Sequence, residues 1–171
     1  REQDTCGRLS RFSVNEANAA AFDPVISADG TVVAFTSADT ALVFGDTNSS
    51  TDIFLNDHFG ENVRVESSNS SDMLGNGPSA SPALSSDGSF LVFSSSATNL
   101  VNSDTNASTD VFLRDVLGQE ITRISVARNG GESNGDSFDP QISADGDFIV
   151  FSSVASNLVA NDTNAAADVF L

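Results

Sequence analysis

Asp139-Pro140-Gln141-Ile142-Ser143-Ala144-Asp145-Gly146, running on into Asp147-Phe148-Ile149-Val150-Phe151-Ser152-Ser153, is the stretch on which the reading of this chain turns. Asp-Gly beside an apolar run is a strong hairpin signal, because aspartate starts the turn and glycine accepts positive φ. The run that follows is short, rich in β-branched and aromatic residues and apolar on both faces, as expected of a strand covered by neighbouring sheets. Related text stands 58 residues earlier, at Pro82 and Asp87-Gly88, and 58 residues before that, at Pro24 and Asp29-Gly30. Three tandem units therefore fill the 171 residues, and a period of this size marks a repeat whose units bury their apolar faces by stacking on one another.

Working outward through the middle unit, Ser89 to Ser95 is a second strand. Ser96 to Thr109 is a polar loop pegged by Leu100-Val101. Asp110 to Asp115 is a third strand, Leu117-Gly118-Gln119 a turn, and Glu120 to Val126 a fourth strand. Thr31 to Ser37 and Asp147 to Ser153 match the second strand, while Asp52 to Leu55 and Asp168 to Leu171 match the third. Phe35, Phe93 and Phe151, with Phe54, Phe112 and Phe170, recur in step and are expected between sheets. The fold class is all-β: three four-stranded antiparallel propeller blades, fewer than the four to eight of a closed ring. Asp-Pro-x-Ile-Ser-Ala-Asp-Gly, then Phe-Ser-Ser, Asn-Leu-Val, Asp-Thr-Asn and Asp-Val-Phe-Leu, resembles the WD40-like (PD40) repeat of TolB-type β-propellers over essentially the whole chain.

The expected organisation is one repeat domain over residues 1–171, with blades at about 22–68, 80–126 and 138–171. The last unit stops in its third strand. Arg8-Leu9-Ser10 resembles Arg123-Ile124-Ser125 of the fourth strand, so residues 1–14 are read as a spare outer strand. That strand completes the last blade of another copy, giving a head-to-tail ring or filament, or else the chain is a fragment of a longer protein.

Twenty-four acidic residues face seven arginines and no lysine, for a formal charge of -17. Phosphate-rich partners are repelled, so neither nucleic acid nor membrane insertion is expected. The same excess makes a bound cation worth seeking. The loop Asp46-Thr47-Asn48-Ser49-Ser50-Thr51-Asp52 recurs at Asp104, Asn106 and Asp110 and at Asp162, Asn164 and Asp168. Its alternating oxygen ligands have the spacing of a Ca²⁺ loop, and the alternative is an Asx turn that caps backbone N–H groups.

No nucleophile elbow, histidine metal motif or Cys-x-x-Cys occurs. His58 falls in a turn and Cys6 is alone, so no enzyme is expected. Two functions stay open. One is an extracellular or cell-surface bacterial structural protein, stiffened by calcium, whose partners are other copies of itself. The other is a protein-binding module of the TolB-like kind, outside the cytoplasm or in the periplasm, for which Arg114, Arg123 and Arg128 offer a candidate rim patch.

Overall fold

A computed structural model describes residues 19–57 and 63–171. The expected outer strand at 1–14, Cys6 and His58 lie outside the described residues. The first sheet is β1 (Ala21–Ile26), β2 (Val32–Ser37), β3 (Asp52–Asp57) and β4 (Val63–Val65) in consecutive antiparallel order. The second repeats it as β5 (Ser79–Leu84), β6 (Phe90–Ser95), β7 (Asp110–Asp115) and β8 (Ile121–Arg123). The third has β9 (Ser137–Ile142), β10 (Ile149–Ser153) and β11 (Asp168–Phe170). No helix occurs among the described residues.

Each blade opens on a strand that contains proline, and each of those strands is bulged. The register shifts between Phe22 and Val25, between Ala80 and Ala83, and opposite Val150 and Ser152. Asp23, Ser81 and Asp139, just before the prolines, have φ of 50–55°. Proline has no N–H to give to a ladder, and a bulge is where a sheet tolerates it. At the following Asp-Gly turn, Asp29 accepts from the Ser27 hydroxyl at 2.7 Å and the Thr31 N–H at 3.0 Å, and Gly30 takes φ 74°.

The blades stack through alternating faces of the same strands. Ala34, Ile53 and Leu55 of the first sheet meet Leu91, Phe93 and Phe112 of the second. Val111 of the second meets Phe151 and Leu158, with Ile149 and Phe170 beside them. Neighbouring residues on one strand thus serve opposite interfaces, which is why these strands lack a polar face. Stacked phenylalanine pairs recur at 5.7–5.9 Å in every blade, Phe35 on Phe54, Phe93 on Phe112 and Phe151 on Phe170.

Main-chain contacts tie the blades together as well. Ala28 N–H donates to Ser86 O at 2.8 Å and Ser86 N–H to Ala144 O at 2.9 Å, so the Asp-Gly turns are linked in a row. Ser79 N–H donates to Thr51 O and Ser137 N–H to Thr109 O at the opposite ends of the strands.

Candidate functional site

The three acidic loops share one local design. Asn48 Oδ1 accepts the Ser50 N–H at 2.9 Å, while its amide donates to Asp52 Oδ2 at 2.8 Å. Asn106 does the same with Ser108 and Asp110, and Asn164 with Ala166 and Asp168. Each asparagine is thus a clip that closes an Asx turn onto the aspartate four residues later. That aspartate is in turn fixed from the outer edge of the sheet: Ser67 Oγ donates to Asp52 Oδ1 at 2.6 Å, and Ser125 Oγ to Asp110 Oδ1.

Around the leading aspartates the loops diverge. In the second blade Asp104 and Asp110 share Arg123, whose Nη1 lies 3.2 Å from Asp104 Oδ1, 3.4 Å from Asp110 Oδ2 and 3.0 Å from Glu132 Oε1. Burial and the neighbouring Asp110 push the Asp104 carboxyl up, against the pull of Arg123. Glu132, which also accepts from the Thr105 hydroxyl and N–H, is held down at about 2.

In the first blade the counterparts of Arg123 and Glu132 are Val65 and Leu74. Asp46 is buried there, and neither carboxylate oxygen has a hydrogen-bond partner. The Asn48 N–H is near enough to favour the ionised form without reaching bonding geometry. Burial pushes both Asp46 and Asp52 up, with Asp39 adding to the shift on Asp46 and Asp46 to that on Asp52. A cleft of about 280 Å³ reaches Asp46, lined also by Phe44, Val65, Ser68, Asp72 and Leu74. In the third blade Asp162 and Asp168 are only half-buried. Among the described residues no group of three or more histidine, cysteine or acidic side chains is arranged to hold a metal ion.

The arginines depart from the expected rim patch. Arg114 is inside, its Nε donating to Glu66 Oε2 at 3.0 Å and its Nη1 to Gln119 O at 3.0 Å. Arg123 is 11% exposed and committed to its three carboxylates. Only Arg128 of the three is exposed, because acids that the sequence scatters over distant positions converge on the other two.

The sequence reading also passed over an asparagine clamp. Asn99 Oδ1 accepts from Asn76 N–H at 2.8 Å while its amide donates to Leu74 O, and Asn157 binds Asn134 and Glu132 O in the same way. The signal was present, since both pairs stand 58 residues apart.

The third blade presents the other candidate surface. Val150, Val169 and Leu171 occupy the register positions of Ala34, Ile53 and Leu55. Ile53 and its second-blade counterpart Val111 are both fully buried, yet Val169 is 77% and Leu171 81% exposed. β11 pairs with β10 alone, whereas β3 and β7 each carry a further strand.

No protein-family model matches the chain, and no curated protein does. Solved structures match it, and they define its class: the sheets are blades of a β-propeller. Among them are a TolB and the propellers of two proteases. The putative TolB of Agrobacterium tumefaciens is similar with a TM-score of 0.51 at 24% identity, over 77% of this chain and 37% of that one. The tricorn protease gives 0.54 at 15% identity, over 85% of this chain and 12% of that one. The β-propeller domain of the Trilobed protease from Pyrococcus furiosus, described as having an open velcro topology, gives 0.50 at 13% identity over 90% and 43%. The chain thus spans less than half the length of each, and at these identities the likeness is one of fold.

Proposed function

We propose that the chain is a non-catalytic, protein-binding propeller module of the TolB-like kind, working outside the cytoplasm, and that its partner is another blade of this repeat. The observation that carries the reading is the open face of β10 and β11, where Val169 stands free at a position that the next blade covers in both other sheets, and Leu171 at one that it covers in the first. Burying each such side chain contributes about 1.5–3 kcal/mol. An exposed sheet face with an unpaired edge strand is a ready seat for another chain.

In its finer form the reading is head-to-tail self-association. A second copy lays its first blade on this face, and its residues 1–14 supply the strand that β11 lacks. The proteases among the similar structures support no catalysis here, since only propeller blades correspond. An extracellular, cell-surface or periplasmic place of work accords with the acidic, cysteine-poor composition.

Sedimentation of the whole chain at rising concentration tests the proposal. Dimers or longer assemblies are expected, with Val169→Asp and deletion of residues 1–13 each returning folded monomers. A wild-type chain that stays monomeric at high micromolar concentration overturns self-association, and turnover in a hydrolase screen overturns the non-catalytic reading.

A further inference from the structure

The first two blades meet the same electrostatic problem with different means. In the second, one guanidinium nitrogen sits among three carboxylates. In the first, Val65 replaces that arginine, yet Asp46 persists at 6% exposure with both oxygens unpartnered. An ionised carboxylate buried without a counter-charge is strongly unfavourable.

The surrounding changes deepen the deficit. Asp39 stands buried where the second blade has Ala97, and Asp72 lines the cleft where the second blade has Gly130, while Leu74 removes one acid. Arg64 also lines the cleft, where the second blade has Thr122, but its Nε is paired with Glu66, which stands where the second blade has Ile124, so these two added charges offset each other. Around Asp46 itself the arginine is lost and one acid is gained. That is the opposite of what a guanidinium slot requires and suits an ion of higher charge.

We propose that the first-blade loop is a divalent-cation site that takes Ca²⁺ through the carboxylates of Asp46 and Asp52, entering by the cleft beside Val65. Asn48 Oδ1 is held by the Ser50 N–H, so it shapes the loop and leaves the ligand set to the carboxylates and water. Two protein carboxylates in an otherwise aqueous oxygen shell place the affinity in the weak class, on the order of 10⁻⁴–10⁻³ M. In the second blade Arg123 already supplies the positive charge, which separates the repeated loops into one that takes an ion and one that carries its own.

Titration calorimetry with CaCl₂ on the whole chain tests this. A single ion is expected to bind, Asp46→Asn to weaken it at least tenfold, and Asp162→Asn in the third loop to leave it unchanged. Val65→Arg, which gives the first blade the second blade's arginine, is expected to abolish Ca²⁺ binding and raise the melting temperature of the metal-free chain. No binding up to tens of millimolar, binding indifferent to Asp46→Asn, or loss on Asp162→Asn overturns the proposal. So does an arginine-amide peptide that raises the melting temperature through Asp46 where CaCl₂ does not, since the slot then belongs to a partner's guanidinium.

Discussion

The second and third blades carry the same apolar strand positions, one set inside the protein and the other in contact with solvent. Val111 and Val169 are the same residue type in the same register, each one strand residue before a phenylalanine that stacks on its own blade. One is fully buried and the other 77% exposed. Burial in a repeat protein thus belongs to the junction between units as much as to the residue, and identical side chains differ in energetic weight according to what lies beyond them.

Aspartate at the two positions breaks that comparison most sharply. Val111→Asp puts a charge into the junction of the second and third blades with no partner, and is expected to destabilise the fold by roughly 4–5 kcal/mol in urea denaturation. Val169→Asp is expected to leave the monomer within about 0.5 kcal/mol of wild type. Equal losses at the two sites would mean that the third-blade face is covered within the chain.

The two junctions can be compared next. Glu66 and Arg114 join the first and second blades through a buried ion pair, whereas Ile124 takes the place of Glu66 beside the apolar cluster between the second and third. Glu66 also accepts from Arg64, so Arg114→Met alone, which removes one of its two arginines, is expected to cost about 1–3 kcal/mol. Glu66→Ile with Arg114→Met lies nearer neutral because apolar side chains of similar volume replace the buried pair. A double-mutant cycle by urea denaturation measures the difference. A double variant as unstable as the single one would show that the pair does more than satisfy its own charges.

The smallest effect is in acid. The Glu132 carboxyl, held at about 2 by the Thr105 hydroxyl and N–H and by Arg123, lies below its usual 4.5. Its contribution is therefore complete above about 4.5 and fades as pH falls towards 2. Asp46 and Asp52, pushed up by burial, act in the other direction, so protonating them in mild acid relieves the first blade. Glu132→Gln is expected to flatten the acid limb of the urea midpoint measured from pH 7 down to 2 while leaving the mild-acid rise in place.

How much of this was legible in the sequence follows from the range of each interaction. β7 falls on Asp110–Asp115 as expected, because its ends are set by local turn chemistry and its two faces by continuous apolar residues. The fourth strand, expected over Glu120 to Val126, is only Ile121–Arg123: past it the Ile124 N–H still reaches Val111 O, and then Ser125 turns its hydroxyl onto Asp110. The interior arginines were not legible, since Arg114 meets an acid 48 residues away and charge patterns within a repeat say nothing of partners in its neighbour. The loops were legible as units, and the 58-residue period already sets Val65 against Arg123; that Arg123 answers Asp104, and that Asp46 is therefore left unanswered, emerged only from the side-chain contacts.

The row of linked Asp-Gly turns has an evolutionary consequence. The relay from Ala28 to Ser86 to Ala144 passes through peptide groups alone, so the angular step from one blade to the next is set without reading a side chain. Those three positions can drift between alanine and serine while the pitch of the assembly is held constant. Copies of the unit can therefore diverge in surface and charge and still be added or removed in whole numbers.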